Sequence, residues 1–128
     1  MMMSLRNPLA RVRGLGSAKS GVEHWWVQRL TAVILVPLVL WFAISLISVA
    51  HADYATMKSW VGQPFNAALL VALLVTMFYH AKLGLQVVIE DYVHGEMIKL
   101  ASLLAMNFVV IIAGATAVIS VLKIAFGG

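Results

Sequence analysis

The 128-residue chain contains no cysteine. Disulfides, thiolate metal ligands and cysteine-held iron–sulfur clusters are therefore excluded from it, and any redox chemistry must use histidine ligation or a partner's cofactor. Charge is scarce as well. Only 11% of the residues are Asp, Glu, Lys or Arg, against 62% that are hydrophobic. A soluble domain of this size has too little interior to hide so much apolar surface, so lipid must act as solvent for most of the chain. Acidic residues are the rarer sign: five stand against nine Lys and Arg, leaving a formal net charge of +4. That excess lies near the N-terminus, a distribution that sets membrane orientation and does not point to nucleic-acid binding. Internal repeats and low-complexity segments are absent too.

Three stretches lack Asp, Glu, Lys and Arg for long enough to cross about 30 Å of hydrocarbon, which takes roughly 20 helical residues. They run from Leu30 to the neighbourhood of Ala50, from about Val61 to Ala81, and from Leu100 to Leu122. The second continues past Lys82 through "LGLQVVI" to about Glu90. Gly62 and Pro64 suit its start, because proline is tolerated in a first helical turn. Pro37 is expected to kink the first span. Arg6, Arg11, Arg13, Lys19 and Arg29 precede or open that span, opposed only by Glu23, and the next loop offers only Lys58. By the positive-inside rule the N-terminus lies inside, in cytoplasm or matrix, and Gly128 outside. Trp25, Trp26 and Trp60 fit interfacial aromatic belts. The first twenty residues are basic and free of acids, somewhat like a transit peptide. Because they run straight into a span, they read as a basic cytoplasmic tail. The prediction is an all-α integral membrane protein with three transmembrane helices. Residues 1–28 form a basic tail with an interfacial segment, and 29–128 the membrane domain.

The stretch "YHAKLGLQVVIEDYVHG", residues 79–95, does more than leave a membrane. An ionisable residue within a span is a functional-site hypothesis by default. His80 stands eleven positions before Asp91. That is about 16 Å of helix, which places His80 near mid-membrane if Asp91 marks the inner surface. At about 100° per residue Leu73, His80, Gly84, Val87 and Asp91 share one face. Gly84 removes bulk one turn from the histidine, so a flat macrocycle could approach while His80 reaches its iron. The residues alone leave a second reading open, in which His80 hydrogen-bonds a neighbouring helix and Gly84 permits close packing. No second axial ligand is evident, since His51 falls in the outer loop and His24 and His94 at the inner interface. Lys82 points about 200° away from His80 and is expected to snorkel towards the inner headgroups. At the helix end, Asp91 and Tyr92 set an acceptor beside a phenolic donor. They suit quinone binding and proton delivery, or an ordinary helix terminus with a belt tyrosine.

Two segments carry a resemblance. "GVEHWWVQRLTAVIL" and "HAKLGLQVVIEDYVHG" resemble the small membrane-anchor subunit of succinate dehydrogenase, respiratory complex II, and the three-span pattern extends the likeness over nearly the whole chain. The first motif is met by Gly21, Arg29, Thr31 and Ala32. The second is met by His80, Gly84, Asp91, Tyr92 and Val93. The "DYVHG" ending looks more like alphaproteobacterial and mitochondrial relatives than enterobacterial ones, and Lys82 departs from many of them.

The resemblance implies roles. His80 matches the axial ligand to the iron of haem b, whose second ligand is a histidine of the companion cytochrome b subunit. Tyr92 matches a tyrosine that hydrogen-bonds the carbonyl of ubiquinone, the substrate, with Asp91 beside it. Arg29 matches a basic residue near the haem propionates, and a guanidinium fork suits carboxylates. The implied protein is an anchor subunit that is not catalytic alone. It docks the flavoprotein and iron–sulfur subunits on a bacterial inner membrane, the mitochondrial inner membrane being second choice. Rival readings are a fumarate reductase anchor, a haem-free scaffold, and a transport subunit using His80 and Lys82. The polar groups cluster near one leaflet and form no stripe across the bilayer, which speaks against transport.

Overall fold

The computed structural model describes the backbone of residues 2–127 and the side chains of residues 21–127. Four helices follow one another: α1 (Met2–Ser48), α2 (Tyr54–Gly62), α3 (Pro64–Tyr92) and α4 (Glu96–Ala125). Stretches of α1 (Gly21–Ser48), α3 and α4 are long and apolar enough to cross a membrane, at 28, 29 and 30 residues. At 1.5 Å per residue each is about 42–45 Å long, enough for the hydrocarbon and part of the headgroup region. The chain divides into two compact units, Met1–Leu30 and Thr31–Gly128.

In the first unit the described side chains include an aromatic pair. Trp25 and Trp26 meet edge to face, with centroids 5.2 Å apart. The Arg29 guanidinium lies 5.4 Å over the Trp25 ring, one helical turn away.

The second unit holds the rest of α1 together with α2, α3 and α4. α1 passes through Pro37 without ending. α2 is short and was not expected from the sequence. Asp53 caps it by accepting a hydrogen bond from the Thr56 backbone N–H at 2.9 Å. Gln63 separates α2 from α3, and Pro64 opens α3 in its first turn, as predicted. Buried Asn66 then fastens the corner, donating to the Trp60 carbonyl at 2.9 Å and to Gln63 Oε1 at 3.2 Å. Trp60 of α2 stacks on Trp41 of α1 at 5.8 Å and 18° between planes. α3 and α4 are joined by only Val93, His94 and Gly95, a length that makes them antiparallel neighbours.

The buried core is small. It runs along one face of α3 through Asn66, Ala67, Leu70, Leu73 and Leu83, and α4 has no buried residue at all. Large apolar side chains point outwards instead, Ile44, Ile47 and Phe108 among them. In water such a surface would be costly. In lipid it is the ordinary exterior, and helix association then rests on close packing and hydrogen bonds. Three polar side chains of α4 are satisfied locally. Asn107 donates to the Leu103 carbonyl, Thr116 to that of Ile112 and Ser120 to that of Thr116, at 2.7–2.8 Å.

Candidate functional site

Thr31 is the first residue of the second unit and is buried at 8% exposure. Its Oγ1 lies 2.9 Å from Nδ1 of His80, linking α1 to the middle of α3 across 49 positions of sequence. The neutral imidazole that keeps its proton on Nδ1 donates it to this hydroxyl and leaves a lone pair on Nε2. Metal-ligating histidines show this arrangement, with the second ring nitrogen held by a neighbouring polar group. Among the described residues no group of three or more His, Cys, Asp or Glu converges, so they form no metal site supplied by this chain alone. A macrocycle supplies four equatorial nitrogens itself and needs only one imidazole from each side. Judged by its donor set, His80 fits that demand.

The expected face of α3 grades from buried to open. Leu73 is buried, His80 and Gly84 are half-buried, and Val87 and Asp91 are exposed. Asp91 falls on the His80 face. Tyr92, one residue on, turns about 100° away and is 75% exposed at the helix end. It stands twelve positions from His80, roughly 18 Å along the axis. The structure thus sets Asp91 and Tyr92 together at one end of α3 and His80 in its interior. Arg29, two positions before Thr31 in the sequence, is exposed and engaged with Trp25.

Lys82 does not reach along α3 towards Asp91. Its ammonium sits one turn back, 5.7 Å over the Tyr79 ring. Helical side chains lean towards the N-terminus, and in a medium without water the ring face offers a cation some attraction. Lys82 and Tyr79 line a groove of about 530 Å³ between α3 and α4, together with Phe78, Asn107 and Gly114. Thr31 stood in the sequence only as a motif position. Its chemistry is visible once α1 and α3 are paired.

Comparison with known proteins decides the family. A profile described as "Succinate dehydrogenase/Fumarate reductase transmembrane subunit" matches residues 3–114. The chain belongs to this family. A succinate dehydrogenase hydrophobic membrane anchor subunit of Rickettsia bellii is 35% identical over 107 residues, covering 84% of this chain and 86% of the relative. The corresponding subunit of Rickettsia conorii is 35% identical over 94 residues, covering 73% and 75%. A succinate dehydrogenase membrane anchor subunit of Reclinomonas americana is 31% identical over 96 residues, covering 73% and 80%. No solved structure matches the chain closely enough to count. The family stretch takes in all the positions just described, from Arg29 and Thr31 through His80 to Tyr92.

Proposed function

We propose that the chain is the small membrane-anchor subunit of a succinate:ubiquinone oxidoreductase in a bacterial inner membrane. Family membership and the three membrane-length helices support the anchor role. In this reading residues 1–28 form the basic inner tail and 29–128 the anchor domain, with the C-terminus outside. Succinate is oxidised on a flavoprotein subunit, outside this chain. Electrons reach ubiquinone through an iron–sulfur subunit, and a companion cytochrome b subunit completes the membrane part.

One observation carries the haem assignment: Nδ1 of His80 lies 2.9 Å from the buried Thr31 hydroxyl, and the tautomer that donates to this hydroxyl leaves Nε2 free for iron. When bound, haem b supplies a one-electron store within the membrane. His80 would hold it from this chain, and Arg29 would meet its propionates. At the inner end of α3 the exposed Tyr92 phenol donates to a quinone carbonyl. Asp91 beside it passes protons from the inner side to the quinone, since two must join it on reduction.

The test is an optical spectrum of the purified, dithionite-reduced complex, wild type beside His80→Leu. The wild type should show a b-type band. The variant should insert normally and lose or alter that band. An identical spectrum in the variant would remove His80 as ligand.

A further inference from the structure

We propose that Thr31 is a positioning residue for the axial imidazole: its hydroxyl accepts the Nδ1 proton of His80, fixes the tautomer and ring plane, and so lets α1 set the redox balance of an iron held on α3. This rests on the haem reading given above and adds to it a residue on a different helix.

The geometry is a 2.9 Å contact between Thr31 Oγ1 and His80 Nδ1. Three features make it more than a passing hydrogen bond. Thr31 is 8% exposed, so its hydroxyl is shielded from solvent, and an imidazole N–H left unpaired beside it would be costly. A helical threonine divides between two χ1 rotamers, and the one adopted here brings the hydroxyl within hydrogen-bond reach of His80. A hydroxyl has one proton and two acceptor lone pairs, so it can accept from His80 whatever its own proton does. Thr116 and Ser120 of α4 spend their hydroxyl protons on carbonyls of their own helix. Thr31 ties one helix to another.

The consequence for iron follows from ligand basicity. An imidazole that donates its Nδ1 proton gains electron density at Nε2 and becomes a stronger donor to the metal. A stronger donor favours the ferric over the ferrous state. Removing the acceptor should therefore raise the midpoint potential. One neutral hydrogen bond corresponds to about two- to tenfold in an equilibrium constant. At the potential where half the wild-type haem is oxidised, the ferrous to ferric ratio of the variant should rise by about that factor.

The experiment compares the purified complex carrying Thr31→Val, Thr31→Ser or His80→Leu with wild type. Haem content, potentiometric midpoint and the low-spin resonance of the ferric form are read, none of which depends on turnover. Thr31→Val keeps the branched shape and removes the acceptor, so its midpoint should rise and its ferric resonance shift. Thr31→Ser keeps the hydroxyl and should stay close to wild type. Unchanged midpoint and resonance in Thr31→Val overturn the proposal. If Thr31→Val fails to retain haem, Thr31→Ser decides. A wild-type midpoint in the serine variant supports the hydroxyl, whereas haem loss in both, with the hydroxyl present in one of them, shows that the hydroxyl does not decide haem binding and overturns the proposal. His80→Leu separates the two levels of inference. A spectrum that survives it defeats the haem reading and this proposal with it. A spectrum lost there, with Thr31→Val indistinguishable from wild type, defeats the role of Thr31 alone.

Discussion

The Phe78 ring of α3 lies against Gly114 of α4, where a Cβ built on the glycine would meet Phe78 Cγ at 3.4 Å. That distance is at the edge of ordinary van der Waals contact for one methyl group, and a longer side chain must compete with the ring for the same space. Gly114→Ala should therefore assemble like wild type. Gly114→Leu must drive the ring aside or part the helices, and overpacking of this kind typically costs about 1–3 kcal/mol. The measurement is the melting temperature of the purified complex, expected to fall for leucine and hold for alanine. A leucine variant that melts with wild type would show that this contact does not hold the hairpin.

Asp53 makes a second prediction, at the loop that leads into α2. Its carboxyl is held below the usual carboxylate range, first by a hydrogen bond from the Thr56 side chain and then by the Thr56 backbone N–H. A depressed folded value means the cap stabilises α2 above the ordinary carboxylate range and is lost as pH falls through that lowered value. The hydrogen-exchange protection of Tyr54–Gly62, taken relative to the intrinsic exchange rate at each pH, should fall on acidification through that window. Asp53→Asn, which caps without a charge, should show much less dependence on pH there. Equal pH profiles for the two proteins would mean that the carboxylate is not what holds the turn.

Much of this was legible in the sequence, and the parts that were not share a cause. The three long helices follow from runs without charge, and Pro64 opens α3 as expected, although Val61 and Gly62, expected in the same start, end α2. α4 begins at Glu96, four residues before the expected Leu100, because a charge-free window ends at Lys99 while the helix continues into the interface. α2 escaped notice because nine residues of mixed polarity give no clear period. The available signal was Asp53 three positions before Thr56. Periodicity placed His80 on a face with Leu73 and Asp91, but its partner Thr31 is 49 positions away. Only the pairing of two helices reveals that contact, and sequence periodicity within one helix cannot supply it. Lys82 was misjudged in direction for a similar reason, since the Tyr79 ring and the α3–α4 groove lie back along the helix.

Orientation supplies the third prediction. By the positive-inside rule the basic residues around and before Arg29, against the single Lys58 between the first two spans, carry the proposed orientation with the N-terminus inside. A reporter active only outside the cytoplasm should give signal after Gly128 and none at the N-terminus. The reverse pattern would contradict the charge argument and move Tyr92 to the wrong face for electrons arriving from peripheral subunits.

The fourth concerns Tyr92, which stands 75% exposed at the end of α3 and is proposed to donate to a quinone carbonyl. Tyr92→Phe keeps the ring and removes only the donor. Losing a hydrogen bond to a bound ligand typically costs about 0.5–1.5 kcal/mol, and more if the carbonyl is left buried without a partner. Since about 1.4 kcal/mol is tenfold, quinone reductase activity should fall several-fold. Succinate oxidation with an artificial acceptor that takes electrons ahead of the quinone should stay near wild type, because in the proposed reading that step belongs to another subunit. The two assays must therefore diverge. A parallel fall in both would mean damaged assembly. If neither falls, Tyr92 is an interfacial belt residue and the quinone is held by other groups.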